Sequence, residues 1–103
     1  MQKRQKIRSR ALLNACRELD CQHCGADDGT IVAAHTNWGG GKGMGQKADD
    51  NLVASLCFTC HGMIDQGSKL SREQRQEIWN DAHKKTVEKL VKIGLWPENI
   101  PIP

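Results

Sequence analysis

Residues 57–65 read CFTCHGMID, and two chemistries compete for them. A C-x-x-C-H run is the spacing that attaches a c-type haem through two thioethers, with the histidine as axial iron ligand. Read differently, Cys57 and Cys60 are half of a sulfur-ligated metal site that runs into a second metal site. In that reading His61 and Asp65, four residues apart, project from one helical face. A second pair, Cys21 and Cys24 in CQHC, is separated from Cys57 by 32 residues. Four thiolates in two such knuckles fit a tetrahedral structural Zn²⁺, with each sulfur about 2.3 Å from the metal. Iron takes the same geometry, and a redox dithiol needs only one of the pairs. The haem reading leaves CQHC unused.

The 103 residues leave room for one small domain, and 38% apolar residues with a single Phe imply a modest core that needs a staple. The opening MQKRQKIRSR is basic and polar, with no apolar segment behind it that would direct export, and no run approaches membrane-spanning length. The expected location is therefore the cytoplasm, with no membrane partner. In that reducing setting paired C-x-x-C motifs point to metal rather than disulfides, and covalent haem attachment is disfavoured. The net charge of +3 is mild, but Lys3, Arg4, Lys6, Arg8 and Arg10 crowd the first ten residues. Such a cluster is either a phosphate-contacting arm or a solubilising tail.

These residues need elements to hold them. Residues 1–8 read as a basic arm. Ser9 is a candidate N-cap for a helix whose Ala11, Leu12, Ala15, Cys16 and Leu19 repeat at three- and four-residue spacings. Cys16, the odd cysteine, falls on its apolar face as a small hydrophobe. His23, inside the first knuckle, is expected to be exposed. Residues 30–34 form a short β-branched strand ending at His35, and residues 51–56 form a second that pairs with it. A short helix over residues 57–66 buries Cys60 and Ile64 and ends at Gly67.

Ser71 and Gln74 are spaced as a capping box for a long helix over 71–93. Its expected stripe is Trp79, Ala82, Val87, Leu90, Val91 and Ile93, with Asp81–Lys85 and Glu88–Lys92 pairs outside. Residues 95–103 form an extended, Pro-containing tail. The domain proper is then 9–94, with its core at 21–67.

Between the strands, residues 36–50 form a long loop with five glycines in seven positions. It is no P-loop, because Lys42 is followed by Gly43 rather than Ser or Thr. Nor does it fit a dinucleotide fold, because no βαβ unit fits around it. A loop presenting Lys42 and Lys47 to phosphate, with Trp38 available to stack on a base or to anchor the loop, is the better account.

The order His35, glycine-rich loop, Asn51-Leu52, then C-x-x-C-His61 around four cysteines resembles the HNH endonucleases of the ββα-metal type, in their zinc-stapled form. The resemblance covers Cys21 to about Gly67, and IRSRALLNAC and CHGMID look most like small prophage-encoded HNH nucleases. It implies an α+β fold: a ββα-metal core stapled by Cys21, Cys24, Cys57 and Cys60, flanked by an N-terminal and a long C-terminal helix. It further implies that His35 is the general base, that Asn51 orients the loop and the base, and that His61 ligates one catalytic divalent metal such as Mg²⁺, Mn²⁺, Ni²⁺ or Zn²⁺.

Two departures stand out. Many family members carry an acidic metal ligand directly before the first histidine, where this chain has Ala34, and the spacing from Asn51 to the knuckle is one residue longer than the commonest form. Asp65 is the candidate replacement ligand; the alternative is a solvent-facing charge at a helix end. The zinc clamp is expected to hold His35 and His61 near each other.

The expected function is metal-dependent hydrolysis of DNA phosphodiesters. Arg8, Arg10, Lys42, Lys47 and Trp38 are candidate DNA contacts, as is the face carrying Lys84, Lys85, Lys89 and Lys92. A homodimer would let two chains cut both strands. The alternative is a non-catalytic zinc-ribbon module that binds nucleic acid or protein, with Ala34 marking a lost site.

Overall fold

Helix α1 (Arg10–Arg17) starts where Ser9, in extended backbone, accepts the Leu12 amide on its hydroxyl. In the computed structural model, which describes residues 7–36, 49–66 and 69–103, four further elements follow. They are strand β1 (Val32–His35), strand β2 (Val53–Leu56), helix α2 (Phe58–Gln66) and helix α3 (Arg72–Lys92). The fold is α+β: one antiparallel hairpin in which Val32 faces Leu56 and His35 faces Val53, with helices on both sides. No helix among the described residues is long and apolar enough to cross a membrane.

Both strands are shorter than the β-branched run predicts, for local reasons. Asp28 takes the Thr30 amide and hydroxyl on one carboxylate oxygen, at 3.0 and 2.6 Å, which turns the chain before Val32. Thr30 in turn accepts the Phe58 amide at 3.0 Å and so ties the start of α2 to the start of β1. Ahead of β2, the Leu52 amide donates to the Asp49 carbonyl and closes a tight turn over 49–52.

The core has two clusters, one on each face of the hairpin. Ala34, Ala54 and Leu56 pack with Cys60 and Ile64 of α2 and Trp79 of α3. Val53 packs on the other side with Leu12 and Cys16 of α1, Leu90 of α3 and Ile100 of the tail.

β2 is buried along its whole length, so the outer edge that β1 does not pair must be satisfied some other way. α3 and the first knuckle do this. Thr86 Oγ1 accepts the Ser55 amide at 3.0 Å, His83 Nδ1 donates to the Val53 carbonyl at 2.8 Å, and the Gln22 amide donates to the Ser55 carbonyl at 2.9 Å. The His83 ring also stacks on Trp79, whose indole N–H donates to the Ala34 carbonyl at 3.0 Å.

α3 begins as its spacing predicts, with reciprocal Ser71 and Gln74 hydrogen bonds, and Asp81 pairs with Lys85 at 3.0 Å. Its apolar stripe differs from expectation. Val91 and Ile93 stand 45% and 50% exposed, whereas Thr86 is fully buried and donates its hydroxyl proton to the Ala82 carbonyl. The helix turns away at Gly94 (φ 77°), and the tail folds back on the body. The Trp96 indole donates to the Ile100 carbonyl at 2.9 Å, and Ile100 is buried.

Thr86→Val keeps shape and volume but strands the Ser55 amide without an acceptor. The variant is expected to lose about 1–3 kcal/mol of stability by urea unfolding, while Thr86→Ser, which keeps the hydroxyl, loses less.

Candidate functional site

The first centre is sulfur. The backbone turns through residues 21–24, with the Gly25 amide on the Cys21 carbonyl, and again where α2 begins, with the His61 amide on the Cys57 carbonyl. In each turn the amide of the second cysteine donates to the first sulfur at 3.4 Å, Cys24 to Cys21 and Cys60 to Cys57. All five cysteines are free thiols, and the sulfurs of Cys21, Cys24, Cys57 and Cys60 lie within 4.8 Å of one another. Cys24 and Cys57 approach to 3.7 Å. Thiolates about 2.3 Å from a tetrahedral zinc would stand about 3.8 Å apart, so the spacing suits the ion. These four residues can bind a structural metal such as zinc.

Electrostatics point the same way. Burial opposes ionisation of Cys21, but amides of Cys24, Cys57 and His23 aimed at its sulfur bring its pKa down to about 6. Cys60 moves in the opposite direction: burial and then the neighbouring thiols hold its proton on. A set in which one thiol ionises readily and makes the next reluctant is relieved by a cation at its centre. Cys16 lies outside the set, and burial pushes its thiol up to about 11, as expected of a packing residue.

The second centre is a histidine–carboxylate pair. His35 ends β1 and its Nε2 lies 2.8 Å from Asp50 Oδ1. Asp50 is buried in the turn before β2 and carries other partners. Its Oδ2 accepts the Ser9 amide at 2.7 Å, the Arg8 guanidinium lies 3.7 Å from Oδ1, and its own amide donates to the Ile7 carbonyl at 2.9 Å. Asp49 reinforces the junction by accepting the Ile7 amide at 3.3 Å. An ionised carboxylate can only accept, so Nε2 carries the hydrogen and Nδ1 the lone pair. An imidazole fixed in one tautomer, with its other nitrogen left as a base, can take a proton from water or another nucleophile.

In the sequence Asp50 reads as the end of a polar loop. A faint signal was the doubled acid, Asp49-Asp50, directly before an apolar strand. Asn51 lies beside it, buried, and its side-chain amide donates to the Pro101 carbonyl at 3.1 Å, holding the tail against the start of β2.

What stands against His35 is thus Asp50, not His61. Directly opposed residues share a face, so His35 lies with Val53 on the α1 side. α2, which carries half-buried His61 and exposed Asp65, packs on the other face through Cys60 and Ile64. Ala34, where an acidic ligand was sought, is 2% exposed within that packing. Among the described residues only the four cysteines form a convergent group of three or more His, Cys, Asp or Glu ligands. Arg8 and Arg10 are exposed beside the His35–Asp50 pair, in one groove. Trp38, Lys42 and Lys47 lie outside the described residues.

Zinc added to the metal-free protein at pH 7 is expected to bind at one equivalent in the sulfur site and to release protons, because Cys60 is then still protonated. Affinity falls as pH is lowered, since each ligating thiol must give up its proton. Calorimetry in two buffers of different ionisation heat counts the protons. Cys57→Ser should lower both the zinc content and the melting temperature.

Residues 5–95 match a family model described as Putative nuclease YbcO. No curated protein and no solved structure matches significantly. The matched span takes in α1, both cysteine knuckles, the hairpin with His35 and Asp50, α2 and all of α3. The chain belongs to this nuclease family.

Proposed function

We propose that the chain is a metal-dependent DNA endonuclease of the HNH type, with His35 as general base. The observation that carries the reading is the 2.8 Å contact between His35 Nε2 and a buried carboxylate, which puts the lone pair of the neutral ring on Nδ1. In this reading Nδ1 takes the proton of a water whose oxygen attacks the scissile phosphorus, and the 3′ oxygen leaves. Asp50 holds the ring in place and stabilises the imidazolium that forms, the part a carboxylate plays behind a catalytic histidine elsewhere. Asp50 thereby takes the orienting role that the resemblance gave to Asn51. Asn51 acts one residue away, anchoring this turn to Pro101.

An alkoxide leaves poorly, and a bound divalent ion such as Mg²⁺ or Mn²⁺ supplies Lewis-acid stabilisation of the phosphate and the leaving oxygen. The resemblance gives such an ion to His61 and Asp65, one turn apart on α2, whose imidazole and carboxylate suit it. α2 packs on the hairpin face away from His35, so we do not assign the ion of the His35 site to them. The four cysteines hold Zn²⁺ as a structural ion. A second reading, a zinc-stapled binding module without catalysis, is favoured by one observation: no carboxylate stands at Ala34.

Nicking of supercoiled plasmid with added Mg²⁺ or Mn²⁺ separates the two. Wild type is expected to nick only with metal, and folded, zinc-loaded His35→Ala should lose about 10²–10⁴-fold in rate, the usual worth of a general base. Asp50→Asn should lose rate and change its pH profile, because the amide no longer fixes the tautomer. If wild type binds DNA but never nicks it under any metal, the binding module is correct.

A further inference from the structure

α1 is built with two unlike faces. Leu12, Ala15 and Cys16 are buried against the hairpin, whereas Arg10, Asn14 and Arg17, at positions i, i+4 and i+7, stand exposed along one line. Beside that line runs a groove of about 540 Å³ whose walls include Arg8, Ser9, Arg10, Arg17 and Asp50. Among the described residues Asp50 is the only acidic one lining the groove, and it is already bound to the Ser9 amide and to His35. No acidic residue occupies the first turn of α1. Arg17 is steadied by donating to Asn14 Oδ1 at 3.3 Å. A row of guanidiniums thus leads along α1 to the carboxylate that holds the histidine.

We propose that this face of α1 is the track for the phosphate backbone of the DNA strand that enters the His35–Asp50 site; the inference deepens the nuclease reading and rests on it. Charge complementarity argues for the occupant. Guanidinium is the side-chain group best matched to phosphate, through paired N–H donors and a charge that is never lost. The spacing fits as well. Seven residues of helix rise about 10 Å, the axial rise of about three nucleotides at 3.4 Å each. Arg10 and Arg17 can therefore meet phosphates on one stretch of strand while its neighbouring phosphodiester lies at His35. Contacts of this kind position the strand and carry no sequence information.

Binding of a labelled 20-base-pair duplex by zinc-loaded protein, without added Mg²⁺ or Mn²⁺, tests the track apart from cleavage. Each phosphate contact contributes about 0.9 to the slope of log affinity against log salt. The double variant Arg10→Gln/Arg17→Gln should lower that slope by about two. Between 200 and 50 mM salt wild type should then gain about tenfold more affinity than the variant. Arg10→Lys/Arg17→Lys should keep most of the slope, which excludes misfolding as the cause.

An unchanged slope in the Gln variant overturns the track. So does an equal fall in Lys69→Gln/Arg72→Gln, which removes the same net charge around the start of α3, away from the groove. An arginine-dependent slope in a protein that never nicks plasmid leaves the track standing and removes the nuclease reading. Nicking with an arginine-independent slope does the reverse.

Discussion

Four sulfurs within 4.8 Å of one another are the constraint on which the rest depends. Two strands of four residues are too short to persist unaided. The sulfur cluster joins the turn before β1 to the junction of β2 with α2, closing a long loop at a fixed point. Two backbone amides donate beside it, Gln22 to the Ser55 carbonyl and Phe58 to the Thr30 hydroxyl. Together they set where β2 sits and where α2 starts. With β2 placed, α3 can cap its free edge through Thr86 and His83, and Trp79 can reach the Ala34 carbonyl.

The opposite end of the hairpin adds polar contacts to the packing around Val53. Residues 7–9 run beside residues 49–50 through hydrogen bonds from the Ile7 amide to Asp49, from the Ser9 amide to Asp50 and from the Asp50 amide to the Ile7 carbonyl, and the tail closes in from Pro101 onto Asn51. Division of labour follows from chemistry. Thiols suit a permanent structural ion at one end, while a histidine and a carboxylate, which exchange protons readily, stand at the other.

Much of this was legible in the sequence, because some signals act over a few residues. The knuckles, the Ser9 cap and the Ser71–Gln74 capping box each depend on neighbours no more than four positions away, and all are found where spacing puts them. What escaped depends on distant partners. Thr86 is polar in an apolar stripe and reads as an outward residue until β2 presents an amide to it from 31 positions away. Val91 and Ile93 fit the periodicity, but Leu90 takes the buried position of the last turn and they stand 45% and 50% exposed among the described residues. The tail reads as loose because Pro and Asn punctuate it, yet Ile100 reaches the α1 cluster.

Asp50 is the instructive case. As one of two acids ending a glycine-rich loop it looks solvated. A carboxylate taken out of water must recover its lost hydration from donors, and charge alone does not say where those are. Here the donors are the Ser9 amide at the start of α1 and the His35 ring, with Arg8 close by. The helix start also offers partial positive charge to an anion. The same three groups that make burial of Asp50 tolerable fix the imidazole and tether the basic end of α1 beside it. Burial of one carboxylate therefore couples the arrangement of the proposed base to the arrangement of the helix proposed to hold its substrate. Neither could be built here without the other.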